Sequence, residues 1–136
     1  MALVFRALHP ASAVGLLNEE WMILENTGPA ALNAAGLAFL VNKKGERPRT
    51  LGKLSPGFVM QPGAKYRLIS GAPGKKSQGT PPAEEEGITH YYLFLREPLL
   101  SAPGLVLRFS QNQMELARAT FAPGEPDGLA KAPDPR

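Results

Sequence analysis

Cysteine is absent from the sequence, which excludes a disulfide framework, thiolate catalysis and Cys-ligated zinc. Aspartate is scarce as well: Asp127 and Asp134 both follow Phe121. The body of the chain therefore cannot build an Asp-rich calcium loop, and a Ser-His-acid triad would need Glu as its acid. Neither Ser70 nor Ser110 sits in a Gly-x-Ser-x-Gly elbow. The two histidines, His9 and His90, stand outside any His-Glu-x-x-His pattern and read as surface or hydrogen-bonded structural residues. No apolar run approaches the roughly 20 residues that span a bilayer. At the start of the chain Arg6 follows the apolar residues and no apolar h-region precedes a cleavage site, so no signal peptide is expected. These absences predict a soluble cytoplasmic protein without membrane contact, catalytic residues, metal, cofactor or small-molecule substrate.

What the sequence does contain is punctuation. Glycine and proline number 14 each in 136 residues, about a fifth of the chain against an ordinary 12% or so. They recur between short apolar runs, which favours strands and turns over long helices. A chain of this length makes one domain and buries enough surface to fold without covalent staples. Its formal charge is +3, and up to Phe121 it carries 13 Lys and Arg against 9 Glu. That mild basicity falls short of the clustering that marks a committed nucleic-acid binder.

The organising stretch is Glu20-Trp21-Met22-Ile23-Leu24-Glu25, four apolar residues between acidic ones, the pattern of a central strand buried on both faces. Asn26-Thr27-Gly28-Pro29 ends it, since Asn and Gly tolerate positive φ and Pro29 donates no ladder bond. Further strands are expected at residues 3–8, 36–41, 64–69, 88–95, 105–109 and 114–121. The clearest alternation is Lys65-Tyr66-Arg67-Leu68. Residues 51–58, broken by Gly52, Pro56 and Gly57, read as irregular or as a short edge strand. Residues 70–87 hold three prolines, four glycines and no large apolar side chain, and predict a long mobile loop. Residues 1–121 then form an all-β domain, an immunoglobulin-like two-sheet antiparallel β-sandwich of seven to eight strands. Residues 122–136, with four prolines, read as a disordered tail.

The order of these segments resembles the lamin-tail domain, an immunoglobulin-like family. The matching pieces are the Glu20-to-Gly28 stretch, similar to that family's Glu-aromatic-hydrophobic strand ending in Asn-x-Gly, then Gly36-Leu37-Ala38-Phe39, Met60-Gln61-Pro62-Gly63 and the hairpin over residues 105–121. Leu37 stands where the family has an aromatic, and Leu95 and Pro103-Gly104 stand where it often has a Trp and a Gly-Asp pair. The resemblance implies a non-catalytic interaction module that binds proteins and, in some settings, DNA.

Two look-alikes are set aside. Gly71-Ala72-Pro73-Gly74-Lys75-Lys76-Ser77 lacks the spacing of a phosphate-binding loop, and Glu84-Glu85-Glu86 reads as a solvated charge run. The strongest candidate surface is basic: Lys43, Lys44, Arg47, Arg49 and Lys53 against Glu46 alone, with Lys75 and Lys76 joining them if they share one end of the sandwich. Such a patch could hold phosphates by counterion release. The same residues could instead protect a sheet edge from aggregation. One of Tyr91 and Tyr92 must face outward, where it could anchor a partner. The expected function is binding of another protein, or of the chain itself, through a sheet face or edge. The alternative is weak, sequence-independent binding of DNA or another polyanion through residues 43–53.

Overall fold

A computed structural model describes residues 3–33, 37–43, 45–53, 58–111 and 114–130 of the chain, with the side chains of Gly52 and Lys53 outside that description. The fold is all-β and sandwich-like. One sheet has the order β1-β2-β7-β8, the other β10-β9-β4-β5, and a small third sheet pairs β3 with β6. The strands are β1 (Leu3–His9), β2 (Trp21–Asn26), β3 (Leu32–Asn33), β4 (Ala38–Asn42), β5 (Arg49–Lys53), β6 (Val59–Met60), β7 (Lys65–Ile69), β8 (Ile88–Tyr92), β9 (Val106–Gln111) and β10 (Met114–Thr120). Ten strands form instead of seven or eight because two of them are only two residues long and because β5 is a full edge strand.

β2 lies between β1 and β7, in the interior of its sheet as expected. It is not buried on both faces. Met22 and Leu24 point into the core, whereas Trp21 and Ile23 are half-buried on the outer face. Its stop also differs from the expected mechanism, since neither Asn26 nor Gly28 has a positive φ. The fully buried Asn26 side chain ends the strand through hydrogen bonds. Its Nδ2 donates to the Ala30 and Met60 carbonyls at 3.0 and 2.9 Å, and its Oδ1 accepts from Gly28 N at 3.0 Å. The Gly63 amide donates back to the Asn26 carbonyl at 2.7 Å. The Asn-Thr-Gly and Met-Gln-Pro-Gly turns are thus bonded to each other.

Inward residues of both sheets make one core. Phe109 of β9 sits at its centre, with Phe5 of β1 and Phe39 of β4 at ring distances of 5.6 and 5.9 Å. Leu3, Leu8, Leu68 and Leu107 are buried around it, each such side chain contributing about 1.5–3 kcal/mol by its removal from water.

Three expectations are corrected. The sandwich is not wholly antiparallel, because β8 runs parallel to β7, pairing Arg67 with His90 and Leu68 with Tyr91. The loop over residues 70–87 is built, by polar rather than apolar groups. Asn18 Nδ2 donates to the carbonyl of Ala72 at 2.9 Å, with longer contacts to those of Lys75 and Gly79, and Gln78 Oε1 accepts from Ala72 N at 2.8 Å. A 3-10 turn, Lys76–Gln78, lies within it. The segment after Phe121 also returns to the fold. Phe121 bridges Leu129, Leu8 N donates to Asp127 O at 2.8 Å, and Ala130 N donates to Thr120 O at 2.9 Å. Residues 122–130 therefore strap β1 to β10, and the rest of the expected tail lies outside the described residues.

Candidate interaction surface

The β4–β5 connection turns at Gly45, whose φ of 84° suits glycine. Glu46 N donates to Lys43 O at 2.9 Å and Asn42 Nδ2 donates to the same carbonyl at 3.0 Å. This turn brings Lys43, Arg47 and Arg49 around one hollow of about 470 Å³, floored by Val41, Leu99 and Leu105 and rimmed by Glu46 and Ser101. Lys44 lies outside the described residues, and Lys53 is placed only by its backbone at the end of β5. Lys75 and Lys76 line a different hollow, of about 370 Å³, beside Asn18, Gly74 and Thr80. Lys75 and Lys76 thus share no hollow with Lys43, Arg47 and Arg49.

A second hollow of about 370 Å³ continues along β5 from Arg49, lined by Thr50, Leu51, Phe94, Leu95, Arg96 and Glu97. Phe94 is its main apolar wall and is 66% exposed. Among the described residues it is the one non-glycine with a positive φ, 54°, a conformation that costs an L-residue about 1–2 kcal/mol. Consecutive amides hold it there: Leu93 N donates to Ile69 O at 2.7 Å, Phe94 N to Gly71 O at 3.1 Å, and Leu95 N to Ser70 O at 2.8 Å. The expected strand over residues 88–95 accordingly ends at Tyr92, where the chain bends. Sequence reasoning missed Phe94 and Arg96. The place of Phe94 beyond the end of β8 and its left-handed backbone leave no mark in the apolar pattern of residues 88–95. Tyr91 stacks on Phe58 with ring centres 4.4 Å apart.

A buried carboxylate positions this segment. Glu20 is 1% exposed, and its Oε1 accepts from Ser70 Oγ at 2.6 Å and from Leu99 N at 2.7 Å, while Oε2 accepts from Leu100 N at 2.9 Å. It fastens the 93–101 connection to the end of β2 and β7. On the outer face of the first sheet, His9 stacks on Trp21 at 4.7 Å, and the Arg67 guanidinium lies 4.5 Å from the Trp21 ring. Arg67 Nη1 also donates to Ala83 O at 3.2 Å and lies 3.1 Å from His90 Nε2, and Nη2 pairs with Glu85 at 3.2 Å. Burial, and then the Arg67 charge, hold the His90 imidazole below its ordinary value, against the opposite pull of Glu84 and Glu85. A neutral ring with its proton on Nδ1 is the form that accepts from Arg67.

Chemically, this arrangement offers a strand edge, an exposed aromatic ring and cations with two glutamates between them. Among the described residues, no three His, Asp or Glu side chains are grouped to hold a metal ion. No protein-family model and no curated protein matches the sequence.

Proposed function

We propose that this chain is a non-enzymatic interaction module that binds another protein through the outer edge of β5 and the two hollows beside it. One observation carries the reading: the exposed Phe94 is held in a left-handed backbone conformation next to an edge strand that has, among the described residues, no partner on its outer side. Strain of that kind persists where the surroundings over-determine it, and clusters at binding surfaces. An exposed aromatic flanked by Arg49 and Arg96 also has the composition of an interface hot spot. The lamin-tail resemblance points the same way, and the two turns that carry it are bonded to each other through Asn26. A Phe94→Asn exchange keeps the backbone conformation while removing the ring, because Asn tolerates the left-handed region. Affinity capture from the source cell with the wild-type chain and with this variant tests the reading. A protein retained by the first and lost by the second is expected; identical captures would refute it.

A second reading is retained because Lys43, Arg47 and Arg49 line one hollow. Weak polyanion binding there requires an affinity for duplex DNA that falls steeply between about 50 and 200 mM salt. Glu46 and Glu97, set among the cations, weigh against it.

A further inference from the structure

We infer that β5 accepts an extended acidic peptide as an added strand, with one apolar side chain of that peptide seated against Leu51 and Phe94. This rests on the protein-binding reading above and specifies the partner.

The edges of the two sheets are not equivalent. β1 and β10 are tied together by residues 122–130. β5 and β8 each have, among the described residues, a strand on one side only, and β5 is the one whose open side adjoins the hollow that Phe94 lines. An edge of this kind presents unpaired amides and carbonyls, which an extended peptide satisfies and a nucleic-acid backbone does not.

The hollow beside that edge says what the added strand must carry. Its apolar wall is Leu51, Phe94 and Leu95, and Arg49 and Arg96 share the same lining. Side chains on one face of a strand recur at every second residue, about 6.8 Å apart. One apolar residue over Leu51 and Phe94, with a carboxylate two positions to either side, therefore matches the lining in an acid-x-apolar-x-acid pattern. Arg47 and Lys43, around the adjoining hollow, extend the positive rim past the start of β5.

The second copy is a poorer occupant. A second β5 brings another Arg49 to an edge already lined by Arg49 and Arg96, and like charges brought together repel. The cations that repel a second β5 attract an acidic strand, which also discriminates among partners.

A fluorescein-labelled peptide with the core Glu-Thr-Leu-Thr-Glu, titrated with the full chain, tests this, beside a peptide with Lys for Glu and one with Ala for Leu. The expected result is saturable binding of the first alone, weakened at least about tenfold by Arg49→Glu with Arg96→Glu, and similarly by Phe94→Asn. Amide hydrogen exchange should slow in β5 when the peptide is bound. Equal binding of the Lys peptide, protection confined to other strands, or no binding up to about 1 mM overturns the proposal. So does light scattering that shows self-association abolished by the Arg49 and Arg96 exchanges, which would make a second copy the occupant. Should the peptide fail while Phe94→Asn still loses a captured protein, the interaction module stands and the acidic strand falls.

Discussion

Glu20 takes three donors on one carboxylate, the Ser70 hydroxyl and the adjacent amides of Leu99 and Leu100, and both of its oxygens are occupied. Glu20→Gln replaces an acceptor by an NH₂ group and sets it against a buried donor, at a cost of about 1–3 kcal/mol. A lower urea midpoint with an unchanged slope is the expected result. Nothing in the sequence marks this residue: an acidic side chain before an apolar run reads as a strand flank. The reverse holds at Phe94. Its ring is exposed and its backbone strained, so Phe94→Gly should raise stability by about 1 kcal/mol while removing the anchor for a bound chain. A thermal melt and a binding titration on the same variant separate the two effects, and a Phe94→Gly protein that melts lower would contradict the strain argument.

At the scale of elements, alternation and turn residues made most strands legible, because most strands bury one face and end where glycine, proline or asparagine allows it; β7 departs from this, with Arg67 and Ile69 buried on its other face as well. The parallel pairing of β7 with β8 was not legible. It depends on residues 70–87 crossing between them, and that crossing is ordered by Asn18, distant in sequence, and by the buried Arg67 just before it. The pair has a pH signature. The folded His90 titrates below its unfolded value, so the folded state binds fewer protons across that interval, and stability rises with pH there. The contribution is complete above about pH 6.5 and is lost as pH falls through the lowered value. His90→Gln should flatten the dependence, as urea melts between about pH 5 and pH 8 would show. The strap over residues 122–130 has its own weak point. A Cβ at Gly128, where φ is 77°, would run into the Leu8 carbonyl. Gly128→Ala should therefore release the strap and speed amide exchange at Leu8 and Ala130, with little change in the centre of β9. Leu129 is the one large apolar residue after Phe121, too little for a sequence reading to set against four prolines.

For the molecule as a whole, residue types announced the cations but not their grouping. Lys43, Arg47 and Arg49 meet because a tight turn joins β4 to β5, whereas Lys75 and Lys76 are carried to a separate hollow by the loop that Asn18 organises. The basic character is thereby divided, and the part beside β5 is joined by Phe94, which no count of charges could supply. The strap adds a consequence for growth at the edges. With β1 and β10 fastened together, the edges left without a strap among the described residues, β5 and β8, lie in different sheets, so a strand added at β5 lengthens one sheet only. A chain ending at Phe121 would lose the Leu8–Asp127 and Thr120–Ala130 hydrogen bonds, and with them the seam that closes one side of the sandwich.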